Sequence, residues 1–192
     1  MQHLQHLAAG DGRNDIPTAP FLRLEPVHLG HAPAIQRLAA DPAVTATTNL
    51  PEPYPPDGAL HWIRYLLPKR QAGVEYAFVL LDARDEVVGV NGFVEVRREE
   101  GWAELGYWIG RPYWGRGYAT AGGRLLLNFG FGELGLHSVV ARPLVRNRAS
   151  CRVLEKLGFR FVETQRNVFP KFHPDDLLAV YEMTAGEWAA LP

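Results

Sequence analysis

The sequence predicts an α+β fold whose mixed, mostly antiparallel central sheet is flanked by helices. Three observations point there. Two β-rich runs, Tyr76 to Asp82 and Val87 to Val96, are joined by the turn residues ARDE as a hairpin, and Trp102 to Ile109 returns as a third strand after the turn RREEG. Tyr118 to about Phe131 then reads as a helix followed by the short β-branched run His137 to Ala141, which implies a parallel crossover beside that meander. Two further strand-like runs, Gly158 to Thr164 and Leu177 to Met183, extend the sheet, and no internal repeat interrupts this order.

The remaining elements follow in chain order. Residues 1–19 are polar and broken by Gly and Pro, which predicts a flexible extension, and residues 20–192 a single domain. His3 and His6 in that extension lack acidic or cysteine partners, so a solvated tail is favoured over a metal site. Phe21 to Glu25 alternates apolar and polar residues as a half-buried strand ended by Pro26. Leu29, Ile35, Leu38 and Ala39 give Val27 to Ala40 one apolar helical face, closed by Asp41-Pro42. Asn49 to Gly58 is too proline-rich for anything but a loop, with Tyr54 either lining a pocket or, the favoured reading, pinning the loop to the surface. Ala59 to Arg70 repeats apolar residues at helical spacing. Asn147 to Leu157 has a visible start and stop: Asn147 as N-cap, Gly158 in the left-handed conformation after its end, and Phe159 as the accompanying contact. A short helix near Gly186 to Leu191 ends the chain.

Composition narrows the function classes. Lys and Arg number 20 against 21 Asp and Glu, so the formal charge of −1 gives no reason to expect a nucleic-acid partner. Cys151 is the only cysteine, which excludes an intrachain disulfide and suits a reducing compartment. No apolar run reaches the length of a membrane span, and the opening residues lack the pattern of a secretory signal, so a cytoplasmic protein without membrane contact is expected.

The chemistry concentrates in AELGYWIGRPYWGRGYATA, Ala103 to Ala121. A strand ends near Gly110, since Pro112 cannot continue a central ladder, and a helix starts at Tyr118. Between them Gly115 and Gly117 bracket Arg116, and both glycines can take positive φ and let a ligand reach the main chain. The unpaired N–H groups of the first helical turn face this bend with the positive end of the helix dipole. One reading is therefore a diphosphate cradle, and the other is an ordinary tight turn with core aromatics. A dinucleotide fingerprint fits less well, because Thr120 stands where a third glycine or alanine belongs. Gly122 and Gly123 weaken the following helix by up to about 1 kcal/mol each, which implies close packing or close ligand approach.

Strand AELGYWIG, turn RPYWGRGYAT and helix NRASCRVLEKLGF, together with LRLEP and DPAV upstream, resemble the GNAT superfamily of acyl-CoA-dependent N-acetyltransferases. More narrowly they look like its Rim-type branch, the ribosomal-protein N-terminal acetyltransferases and their relatives. The resemblance runs from about Phe21 to about Met183. It implies acetyl-CoA as the acetyl donor, no metal, and an amine acceptor that is a protein N-terminus or a small molecule. It puts the diphosphate on the amides of Arg116, Gly117, Tyr118, Ala119 and Thr120, beside Gly115, and the pantetheine along Trp108 and Ile109 at the end of the preceding strand. Asn147 would reach the pantetheine and Ser150 the thioester sulfur, positions that share a helix face. A homodimer is compatible with the resemblance, since dimerisation is common among such proteins.

Two departures from the family pattern stand out. Pro112 fills the slot where Gln or Arg opens the glycine motif, as in Rim-type relatives, and Leu154 fills that of a tyrosine that often protonates the leaving thiolate. Leu154 cannot donate a proton, so the developing thiolate is hydrogen-bonded by Ser150 or, less readily, met by Cys151, the alternative being that it leaves unaided or takes its proton from water. Acyl transfer also needs a neutral amine held against the thioester, and Glu104, on the central strand, is the candidate general base, the alternative being a solvated strand charge. Asn147 serves equally as a plain helix cap, and Ser150 as a plain helix residue. The expected activity is direct attack by a primary amine in a ternary complex; a non-catalytic acyl-CoA sensor is the alternative.

Overall fold

The computed structural model describes residues 22–191. The predicted extension, with His3 and His6, and Phe21 lie outside them.

The described residues form one seven-stranded sheet in the order β1-β2-β3-β4-β5-β7-β6. Its strands are β1 Arg23–Pro26, β2 Tyr76–Leu81, β3 Val87–Arg97, β4 Trp102–Ile109, β5 Ser138–Ala141, β6 Arg160–Arg166 and β7 Leu177–Thr184. The meander stands as expected: β2, β3 and β4 pair antiparallel in sequence order, with β1 added at the edge. Pro26 closes β1 from within rather than after it, which an edge strand tolerates because one side of its main chain needs no ladder partner. β4 and β5 make the parallel pair, through Trp102, Ala103 and Glu104 against Ser138, Val139 and Val140.

Helices cover both faces. α1 Ala32–Ala39 and α3 Gly58–Gln71 pack Ile35, Leu38, Ile63 and Leu66 against Val79 and Val90. On the other face α4 Tyr118–Asn128 and α5 Arg148–Leu157 bury Leu126, Leu127, Leu154 and Leu157 against Phe93 and Leu105. The segment Val27 to Ala40 is not one helix. His28 caps a separate 3-10 turn, Leu29–His31, by accepting from the Gly30 N–H, and α1 begins only after it. A short helix α2, Pro42–Thr45, follows, started by Asp41 Oδ1 accepting from Ala43 N–H. α4 ends three residues before the expected Phe131 and widens into a π turn, Phe129–Glu133. α5 is capped as predicted, with Asn147 Oδ1 accepting from the Ser150 N–H, Gly158 at φ 89° and the Phe159 N–H on the Leu154 carbonyl. The final helix, α6, is Ala185–Ala189.

The two helical glycines are explained by packing. A Cβ on Gly122 would lie 2.8 Å from the Asn91 side chain, and one on Gly123 2.6 Å from Leu157.

Candidate active site

The register that builds the sheet also opens it. β5 accompanies β4 only as far as Glu104, so Leu105 to Ile109 run on without a strand on that side. The Gly110 N–H donates to the Val88 carbonyl on β3, and by strand alternation the main chain of Trp108 faces β3 too, while Tyr107 and Ile109 turn their N–H and C=O groups into the gap. The Ile109 carbonyl is met there by the Trp114 indole N–H at 2.6 Å, a side chain standing where a neighbouring strand would be.

The gap widens into a cleft of about 1350 Å³ whose lining includes Trp62 on one side of the sheet and Ser150 on the other. That exceeds the roughly 300–1,000 Å³ of common small-molecule pockets and suits two substrates together. At one end stands the glycine turn. Gly115 and Gly117 have φ of 74° and 78°, and a Cβ built on either meets nothing within 4 Å. Gly117 is the N-cap of α4 and offers no side chain, and among the described residues nothing accepts from the amides of Tyr118, Ala119 and Thr120; the first helical bond is Ala121 N–H to Gly117 O. The start of α5, by contrast, is capped by Asn147. An uncapped N-terminus behind an open glycine bend fits an anionic group. Gly115, Gly117, Tyr118, Ala119 and Thr120 all line the cleft. The Arg116 side chain does not; it is exposed and its guanidinium lies 5.9 Å from the centre of the Tyr113 ring.

At the mouth of the gap Glu104 is 7% exposed, and its two carboxylate oxygens accept from Arg142, Oε1 from Nε at 3.0 Å and Oε2 from Nη2. Ser150 Oγ is 2.9 Å from the Tyr107 hydroxyl, and burial pushes that phenol up to about 12. Asn147 both caps α5 and donates from Nδ2 to the Thr47 carbonyl at 3.4 Å. Trp108 and Ile109 both line the cleft, but Trp108 packs against the α1–α3 core and its main chain is taken up by β3, whereas Ile109 buries its side chain beside Val88 and Tyr118 and leaves main chain for a ligand. Leu154 is fully buried, and Cys151 is a core residue. Tyr54 both packs against the α1–α3 core and lines the cleft, combining the two roles weighed for it.

Sequence reasoning missed Arg142, Tyr107 and Lys171. Lys171, from the segment between β6 and β7, donates to the carbonyls of Thr45, Thr48 and Leu50 and so ties that segment to the loop after α2. Burial pushes its pKa down, and Glu52 at 3.4 Å opposes the shift. The clue for Arg142 is its place just after the strand beside Glu104; for Tyr107 it is strand alternation, which puts it on the α5 face.

Residues 22–160 match the family model described as acetyltransferase (GNAT) domain. The uncharacterized N-acetyltransferase p20 of Bacillus licheniformis is 30% identical over 140 residues, 72% of this chain and 79% of that protein. The FsC-acetyl coenzyme A-N(2)-transacetylase of Aspergillus fumigatus is 28% identical over 183 residues, 90% of this chain and 78% of its own. The fold is also that of spermidine N-acetyltransferase from Vibrio cholerae, solved in complex with CoA and spermine, at a TM-score of 0.77 and 20% identity over 88% of this chain and 98% of that one.

Proposed function

The chain belongs to the acetyltransferase (GNAT) family and is an N-acetyltransferase, and from that premise we propose that it moves acetyl from acetyl-CoA to a primary amine by direct attack in a ternary complex. One observation carries the reading: the unpaired stretch of β4 and the uncapped start of α4 open into the same cleft. The family's enzymatic activity sets aside the non-catalytic sensor. Residues 20–192 are read as one acetyltransferase domain, and the likeness to the Rim-type branch rests on the motifs quoted above.

Acetyl-CoA supplies the acetyl group as a thioester. The amides of Tyr118, Ala119 and Thr120, with those of the glycine turn, hold its diphosphate, and the free main-chain groups of Tyr107 and Ile109 pair with its pantetheine once Trp114 gives up the Ile109 carbonyl. Glu104 takes the proton the amine loses as its nitrogen bonds the carbonyl carbon, directly or through a water. Arg142 holds that carboxylate at the mouth of the gap. Ser150 donates to the sulfur as the carbon–sulfur bond breaks, the thiolate taking its proton from water, and Tyr107 orients Ser150 from behind. Cys151, in the core, is no nucleophile in this scheme, so no acyl-enzyme forms.

Among the described residues no helix is long and apolar enough to cross a membrane. The lone Cys151 supports a cytoplasmic setting. The activity is tested by following thiol release from acetyl-CoA as primary amines are added. Release that depends on the amine supports the reading, and release indifferent to every amine opposes it.

A further inference from the structure

The cleft has two ends of different chemistry. One carries the helix starts and the cations Arg148, Arg152 and Lys156 of α5, suited to phosphates. The other lies over the opposite face of β4, beside Glu104, Gly106 and Trp108. Its walls are Tyr54, Trp62, Tyr65 and Val94, with Tyr65 59% and Val94 50% exposed. Large apolar side chains left open inside a cleft mark a surface that a ligand covers. Gly106 leaves room between them, since a Cβ there would sit 2.9 Å from Val94.

The charges at this end are already spent on one another. Glu75 and Glu104 are the only carboxylates among the residues lining the cleft. Glu75 accepts from Lys69 at 2.9 Å, and Glu104 from Arg142. Arg146, also in the lining, is paired with Asp176. A ligand entering here meets aromatic walls and carboxylates that each carry a cation. One amine can be placed at Glu104. A second or third ammonium would find Lys69 and Arg142 as neighbours and no unpaired carboxylate to replace its water.

We infer that the acceptor is a monoamine on an uncharged, apolar or aromatic body and not a polyamine, an inference that rests on the acetyl-transfer reading above. The shape of the walls favours a flat or branched apolar group next to the amine, as in an arylalkylamine or a peptide that begins with an aromatic residue. A polycation is disfavoured by the same pairs that make the site neutral.

The test compares kcat/KM for 2-phenylethylamine, a neutral phenylalanine-initiated peptide amide and spermidine, by thiol release from acetyl-CoA, with acetyl-CoA binding followed by calorimetry. At least one monoamine should exceed spermidine by about tenfold or more, the scale of one like-charge contact in a partly desolvated site. The ratio of the first two substrates tells a small amine from a chain N-terminus. Lys69→Met, which frees Glu75, should raise spermidine turnover relative to 2-phenylethylamine. Spermidine equal to or better than both monoamines in the wild type overturns the inference, as does absence of turnover with every monoamine while acetyl-CoA still binds. Loss of acetyl-CoA binding itself would instead overturn the reading beneath it.

Discussion

The hydroxyls of Tyr107 and Ser150, 43 residues apart in the chain, lie 2.9 Å from each other where the unpaired end of β4 faces the first turn of α5. Burial keeps the phenol protonated far above neutral pH, so it can donate to Ser150 Oγ, and in that direction the serine hydrogen is free to point into the cleft. Leu154, one helical turn beyond Ser150, is fully buried and has no proton to give, so in the proposed reaction the leaving sulfur is served by hydrogen bonding rather than by a strong acid.

Tyr107→Phe should therefore lower kcat by about tenfold, the worth of one buried hydrogen bond, with little change in the KM for acetyl-CoA. In a Ser150→Ala background the same change should add almost nothing. Additive losses in that double-mutant cycle would show that the two hydroxyls act independently.

Glu104→Gln keeps an acceptor for Arg142 but removes the base. Turnover should fall by about a hundredfold or more, while the Kd for acetyl-CoA stays within about twofold. Unchanged turnover would take Glu104 out of the mechanism and leave the pair with Arg142 a purely structural one.

At Gly117 the backbone has φ 78° and the space above it is open. Gly117→Ala should cost about 1–2 kcal/mol of stability from the left-handed conformation alone. It should weaken acetyl-CoA binding by more than tenfold, because the new methyl enters the open space that the proposed site reserves for the diphosphate. Equal affinity in calorimetry would mean that the turn is not the cradle.

Much of this was legible in the sequence alone. The meander, the crossover, the glycine turn and both caps of α5 are local patterns, set by alternation, helical spacing and a few residues with special backbone preferences. The split between the 3-10 turn and α1 was not, because His28 looks like any polar residue until its ring accepts from Gly30. Neither were the partners of the candidate residues. Arg142 reaches Glu104 from 38 positions away and Lys171 reaches Thr48 from 123, and no period or spacing in the chain records such contacts. The β4–β5 opening is in the same position: each strand is readable, whereas the residue at which they part is set by where β5 stops.

Acid should loosen the β1 edge. His28 Nδ1 accepts from the Gly30 N–H at 3.0 Å and His31 Nδ1 from the His28 N–H at 3.3 Å, so each neutral ring carries its proton on Nε2, facing Glu25 Oε1 at 3.2 and 3.3 Å. These tautomers weigh against a metal at this cluster, since a ligating Nε2 needs its proton on Nδ1. Burial, then His28, pushes His31 below its usual value, with Glu25 opposing. A depressed folded pKa means that the unfolded chain binds protons more readily, so the contribution of His31 is full above about pH 6.5 and is lost as pH falls through its lowered value. The Tm should drop between pH 7.5 and 5, and less steeply in His31→Gln. Equal slopes would contradict this.

The central claim is that the β4 gap and the α4 start together form an acetyl-CoA site. Calorimetric titration of the protein with acetyl-CoA, beside NADH and ATP, tests it most directly. The structure predicts saturable binding of acetyl-CoA in clear preference to both nucleotides. Absence of acetyl-CoA binding, or tighter binding of NADH or ATP, would contradict it and leave Gly115 to Gly117 an ordinary turn.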